Sequence, residues 1–295
     1  MPFILRSIAG LGAGALSFAY LIFIVNPLQM LSVLVYPFSP SAFRAFNRAC
    51  AKSVWGIWVW MAYVQNRIRV RITGDDLPRE ENALLISNHQ SIADVMVLLC
   101  LAWQCGRVQD MKWFVKDVVK YIPGPGWGMR FLDCIFVKRD WARDKDSIKK
   151  LFGKYARDQI PVFVVSFLEG TRRTERKAQE AEAFARGKGL YVPQQTLVPR
   201  TKGFVASVTG LRDHLDAVYD VTIGYPERVP SLFDCYACLV PHVEIHVRRY
   251  EMQTLPESPD ELAQWAFARF EEKDRRLIAF QDGFRFPGPE VLEYS

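Results

Sequence analysis

No charged residue occurs between Arg6 and Arg44. So long an uncharged stretch excludes an ordinary solvated surface for this part of the chain. Cysteine is also scarce. Six in 295 residues do not make a disulfide scaffold, so free thiols in a reducing compartment are expected. No Gly-x-Ser-x-Gly elbow occurs, which argues against an activated serine of the α/β-hydrolase kind. Internal repeats and low-complexity tracts are absent. Acidic residues fall short of basic ones, 32 against 38, leaving a net charge of +6. That balance favours anionic partners such as phospholipid surfaces, phosphorylated substrates or nucleic acid, without choosing among them.

What fills the uncharged region is apolar. Ser7 to Val25 is nearly unbroken and close to the ~20 residues that a helix needs to cross a bilayer. Asn26-Pro27 interrupts it, and a shorter run, Leu28 to Tyr36, ends in Pro37-Phe38-Ser39-Pro40. A third run, Val54 to Val64, carries Trp55, Trp58 and Trp60, residues suited to a headgroup region. Arg6 precedes the region, and Arg44, Arg48 and Lys52 follow it. Cations on both flanks disfavour a single crossing and favour a hairpin turning at Asn26-Pro27, either spanning or partly immersed. Gly10-Leu11-Gly12-Ala13-Gly14 lacks a preceding strand, so its small residues read as close packing rather than a nucleotide loop.

From about Arg67 the texture changes. Arg67 to Ile72 alternates charged and apolar residues as a half-buried strand does. Ala83 to Ile86, Cys134 to Val137, Val162 to Phe167, Ala217 to Ile223 and Val243 to Arg249 read as further strands. Val95 to Trp103, Asp144 to Arg157 and Glu175 to Arg186 read as helices, and Asp260 to Phe280 as a charged surface helix. Such alternation predicts an α/β fold: a mixed central sheet flanked by helices, preceded by an apolar membrane-embedded helical segment. The division falls between residues 1–65 and 66–295.

Chemistry concentrates in Asn88-His89-Gln90-Ser91-Ile92-Ala93-Asp94, where a strand passes into a helix. A neutral imidazole at His89 can take a proton from a hydroxyl, and Asp94 can fix its tautomer. Ser91 to Asp94 is equally a capping box, and the two roles are compatible. A second cluster, Phe167-Leu168-Glu169-Gly170-Thr171-Arg172, follows its own strand. Gly170 permits a tight turn, and Arg172 can grip a phosphate through two parallel hydrogen bonds, or be an ordinary surface arginine. Lys138-Arg139 and Lys202 offer further cations. Cys235, Cys238, His242 and His246 mimic a zinc set. On a strand the two histidines would stand ~13 Å apart, too far to share one ion, so no metal is expected. Arg172-Arg173 and Lys149-Lys150 accompany no nucleic-acid motif, and no nucleic-acid partner is expected.

These segments carry a resemblance to a family. Asn88-His89-x-Ser91-x-x-Asp94 resembles the first motif of the glycerolipid acyltransferases that include the lysophosphatidic acid acyltransferases. Ile135 to Arg139 resembles their second motif, Phe167 to Arg172 the third and Val198 to Gly203 the fourth, in matching order from about Asn82 to about Asp274. Leu168 stands where a proline is commoner, and Asp117-Val118 where Glu-Leu is usual. The resemblance implies an acyltransferase domain over 66–295 behind a membrane anchor over 1–65. It implies His89 as base and Asp94 as its orienting partner. It implies substrate contacts for Lys116, Arg139, Glu169, Gly170, Thr171, Arg172 and Lys202, with Arg139 and Arg172 on phosphate. The implied reaction moves an acyl group from acyl-CoA, a co-substrate, to the sn-2 hydroxyl of lysophosphatidic acid, with no cofactor. Backbone N–H groups near the helix start are expected to stabilise the oxyanion. Another lysophospholipid acceptor is the alternative, and a thioesterase or a non-catalytic lipid-binding protein a remoter one. The implied setting is the endoplasmic reticulum or a bacterial inner membrane, with the catalytic domain in the cytosol.

Overall fold

A computed structural model describes residues 3–138 and 140–294. In chain order the elements are α1 (Phe3–Tyr20), α2 (Asn26–Ser32), α3 (Pro40–Trp60), β1 (Arg69–Gly74), β2 (Ala83–Ser87), α4 (Ala93–Gln104), β3 (Met111–Lys116), α5 (Pro125–Phe131) and β4 (Ile135–Val137). Then come α6 (Trp141–Arg157), β5 (Phe163–Phe167), α7 (Glu175–Lys188), α8 (Thr201–Leu211), β6 (Ala217–Gly224), α9 (Leu232–Tyr236), β7 (His242–Glu251), α10 (Pro259–Gly283) and β8 (Glu290–Tyr294).

The strands form one mixed sheet in the order β4-β3-β5-β2-β6-β7-β1-β8. The first five are mutually parallel, so their carboxyl ends share one edge. β7 runs antiparallel to β6, β1 parallel to β7, and β8 antiparallel to β1. Strand alternation feeds two cores. Ala83, Leu85, Phe163, Val165 and Tyr219 face α3 and α4, whereas Leu84, Ile86, Val162, Val164 and Val218 face α6, α8 and α10.

The amino-terminal segment departs from the sequence expectation. Asn26-Pro27 does not turn the chain: one apolar helix continues from Ile4 to Val35. Pro27 has no N–H to give, and its ring crowds the carbonyl four residues back. A π turn over Leu21–Val25 absorbs this, with the Asn26 N–H reaching the Leu21 carbonyl. The reversal comes at Tyr36 to Ser39, where the Ser39 and Phe38 amides close on Val35 and the Ser39 hydroxyl caps α3. Trp55 and Trp58 are not headgroup residues either. Both sit in the core beside the amino-terminal helix and α5, Trp58 donating to Ser17 Oγ at 3.0 Å. Trp60 is exposed.

The long helix lies along the domain. Gly10 and Gly14 press on Tyr236, where a Cβ at Gly14 would come within 2.7 Å of the ring. Ser7 Oγ donates to the Ala237 carbonyl, and Asn26 Oδ1 accepts from the Gly124 amide at 2.9 Å. Its other side is apolar and open, with only 28% of the most apolar window buried. Likewise α10 is less of a surface helix than its charges imply. It buries Leu262, Ala266, Phe270 and Leu277, and with them Lys273 and Asp274.

Candidate active site

The five parallel strands set the site at their shared carboxyl edge, the usual ligand edge of an open α/β sheet. Ser87 pairs with Phe167 on one side and Val221 on the other. His89 therefore leaves β2 level with Glu169 of the loop after β5. Lys116 ends β3, paired with Val137 at the end of β4. Trp113 pairs with Val165, which brings Lys116 level with Leu168. Lys116 and His89 thus stand on strands two places apart, roughly 10 Å at the usual strand spacing. Lys202 opens α8, tied to this edge by the Arg200 amide bond to the Leu168 carbonyl at 2.7 Å. Lys116, Arg172 and Lys202 are all exposed. Arg139 lies outside the described residues.

His89 and Asp94 meet. His89 Nδ1 lies 2.9 Å from Asp94 Oδ2, and the same oxygen accepts the amides of Gln90 at 2.7 Å and Ser91 at 2.9 Å. The other oxygen, Oδ1, accepts the hydroxyl of Tyr225 at 2.6 Å. Asp94 is fully buried and every bond to it comes from a donor, the surroundings of an ionised carboxylate. His89 therefore carries its proton on Nδ1. Nε2 is left able to accept one, on a side chain 14% exposed. The ring stacks on Phe167, centroids 3.9 Å apart, which fixes its plane.

The capping-box expectation is half met. Asp94 reaches back to the Ser91 amide, but Ser91 Oγ accepts from Ala93 and donates to the Pro230 carbonyl. The same bonds narrow the oxyanion expectation: the Gln90, Ser91 and Ala93 amides at the start of α4 are already engaged, which leaves it to the other N–H groups there.

Glu169 faces inward. Oε1 accepts the His89 amide at 2.8 Å, and Oε2 accepts the Leu197 amide at 3.1 Å. Burial pushes its carboxyl up to about 8, against those two N–H bonds, which pull it down. Gly170 turns at φ +68°, where a Cβ would lie 3.0 Å from Arg200 Cδ, so conformation and space both require glycine. The Thr171 hydroxyl takes a bond from Lys177. Arg172 makes no hydrogen bond or ion pair with another described residue. It sits beside His89, because the next amide, Arg173, donates to the His89 carbonyl at 2.9 Å.

Two roles went unread in the sequence, that of Tyr225 and that of Asn88 within its motif. Tyr225 follows β6, and Asn88 uses its side chain as a strand residue uses its backbone, bonding Ile223 N and O at 2.9 and 3.0 Å. A tyrosine just past a buried strand and just before Pro226 was the only signal for the first. The cysteine–histidine set is engaged elsewhere: His242 and His246 lie on β7, bonding Glu244 and Thr73 at 3.0 and 3.1 Å.

The acyltransferase family matches residues 69–225, and an acyltransferase C-terminal region matches 238–294. The chain belongs to this acyltransferase family. It is 33% identical over 272 residues to 1-acyl-sn-glycerol-3-phosphate acyltransferase 2 of Brassica oleracea, covering 90% of this chain and 70% of that protein. It is 31% identical over 276 residues to lysocardiolipin acyltransferase 1 of Danio rerio, covering 92% and 70%. The fold matches the crystal structure of the 1-acyl-sn-glycerophosphate (LPA) acyltransferase, PlsC, from Thermotoga maritima, with TM-score 0.55 and 19% identity over 94% of this chain and 98% of that one. The protein is an O-acyltransferase, and its mixed α/β sheet carries the histidine–aspartate pair at the edge where its parallel strands end.

Proposed function

We propose that this acyltransferase moves a fatty acyl group from acyl-CoA to the sn-2 hydroxyl of 1-acylglycerol-3-phosphate, releasing coenzyme A and forming phosphatidic acid. The observation that carries the reading is His89, with Nδ1 held by Asp94 and Nε2 without a hydrogen-bond partner among the described residues, amid exposed cations at one sheet edge. Nε2 takes the hydroxyl proton as the oxygen attacks the thioester carbonyl. The C–S bond breaks, and the imidazolium returns the proton to the leaving thiolate. Asp94 stabilises the imidazolium without itself being protonated. Arg172 and the two lysines hold the acceptor phosphate. Arg172 is the best suited, because a guanidinium offers two parallel donors.

The setting we propose is a membrane surface, with the open apolar side of the helix Ile4–Val35 laid in the lipid. That helix is packed on the domain along its opposite side, which suits immersion in one leaflet rather than a free-standing span.

Similar identities to a lysophosphatidate and a lysocardiolipin enzyme favour a second acceptor reading, another lysophospholipid. A headgroup panel with acyl-CoA, followed by thiol release, separates them: lysophosphatidate should give the highest kcat/KM. His89→Ala should abolish turnover, and full activity there would sink the base assignment. Arg172→Ala should raise KM for a phosphorylated acceptor about tenfold or more and leave that for acyl-CoA unchanged.

A further inference from the structure

Lys273 and Asp274 are neighbours on α10, and both are wholly buried, which charged side chains seldom are without partners. As consecutive helix residues they point about 100° apart and meet different partners. Lys273 Nζ bonds Asp220 Oδ1 and the Val221 carbonyl, both at 2.5 Å, and so pins α10 to β6. Asp274 faces the segment between α7 and α8, which has no regular structure. Its carboxylate accepts the amides of Gln194 at 3.0 Å, Gln195 at 2.7 Å and Thr196 at 2.7 Å. It also accepts the hydroxyls of Tyr191 at 2.9 Å and Thr196 at 3.1 Å. One buried carboxylate thus does for this loop what a strand partner would otherwise do.

The next amide along, Leu197, is the one that Glu169 accepts, and the other oxygen of Glu169 holds the His89 amide. A continuous set of bonds therefore runs from α10 to the backbone of His89. We propose that Asp274 is a positioning residue for the acyl transfer. It fixes the loop 191–197, so that Glu169 is held from one side and sets the His89 main chain from the other. The proposal rests on the reading of His89 as base, and it gives the carboxyl-terminal region of the fold a part in the active site. The physical reason is local. Without the carboxylate, three convergent N–H groups lose their acceptor in a buried place, so the loop must rearrange to satisfy them. Small shifts at a catalytic group weigh heavily on rate.

The test uses the full chain and two readouts. Amide hydrogen exchange in Asp274→Asn should accelerate in 191–197 and also in 88–91, while β3 and α6 keep their protection. This readout does not depend on what His89 does chemically. In turnover, Asp274→Asn should lower kcat about 10- to 100-fold with little change in KM. The Asp274→Asn/Glu169→Gln double variant should be no worse than Glu169→Gln alone, because both act along one route. Leu262→Ala, a core change in the same helix, should lower Tm without these effects on exchange at 88–91 or on kcat. Multiplying defects in the double variant, or exchange confined to 191–197, would overturn the proposal. If Asp274→Asn does not fold, Thr196→Val removes a single donor and should loosen the same two segments. A loss of exchange protection at 88–91 with full activity in His89→Ala would leave the positioning intact and remove only its catalytic reading.

Discussion

The Tyr225 hydroxyl donates to Oδ1 of Asp94 at 2.6 Å, on the side of the carboxylate that His89 does not use. Burial and the neighbouring carboxylate hold that phenol well above its ordinary range, so it stays a donor at any working pH. Asp94 is thereby fixed at both oxygens, and the imidazole has one geometry available.

Tyr225→Phe removes the hydroxyl and keeps the ring. It should lower kcat about tenfold with KM for both substrates unchanged, since a hydrogen bond to a buried charge contributes roughly 1.5–3 kcal/mol. Steady-state kinetics with either substrate varied would check this. A rise in KM with kcat intact would mean that Tyr225 shapes a binding surface instead.

Glu169 gives a pH prediction. Its carboxyl is raised to about 8 by burial, so the folded protein holds this proton more tightly than the unfolded chain does. The resulting stability is fully present below the ordinary carboxyl range and is lost as pH rises through about 8. Glu169→Gln cannot titrate. The Tm of the wild type relative to this variant should therefore fall between about pH 5 and about pH 8 and level off above. Thermal scans across that range decide it, and a relative Tm that climbs with pH contradicts the assignment.

Much of this was written in the local sequence. Strands such as Ala83 to Ile86 and Val162 to Phe167 were legible because they are short, apolar and bounded by loop residues, and His89 and Asp94 because their spacing crosses a strand-to-helix turn. β3 was not, since Lys112 interrupts its apolar pattern and is nonetheless buried, its ammonium pulled down by desolvation. The turn after Val35 was misread because Pro27 looked like a breaker, and a π turn upstream is invisible to composition. Tyr225 and Asp274 reach the site only through tertiary packing, and no residue spacing encodes that.

Thiol chemistry offers a third prediction. All six cysteines are free and buried. Desolvation pushes the thiols of Cys100, Cys105 and Cys235 up to about 12 and that of Cys134 to about 11. Thiolate is the reactive form, so the folded enzyme should react with Ellman's reagent far more slowly than the unfolded chain. Unfolding should expose all six. Fast labelling of the native protein would show that a helix covering these residues opens readily.

The last prediction concerns the lipid surface. Phe233 is 59% exposed at the start of α9, with Leu232 beside it, and α9 abuts α1 where Ser7 bonds the Ala237 carbonyl. Ile92, in the loop of His89, is partly open as well, and Ser91 binds the Pro230 carbonyl across the gap. Exposed apolar side chains therefore stand on α9, which packs against the long helix, and at Ile92 beside His89. Burying a phenylalanine in an apolar medium contributes about 1.5–3 kcal/mol, so Phe233→Asp should weaken binding to phospholipid vesicles about tenfold or more. Turnover of a short-chain, monomeric lysophosphatidate should stay near that of the wild type, because the change lies off the bonds that hold His89. Vesicle sedimentation and that assay together decide the matter. Unchanged sedimentation would confine the lipid contact to the helix Ile4–Val35.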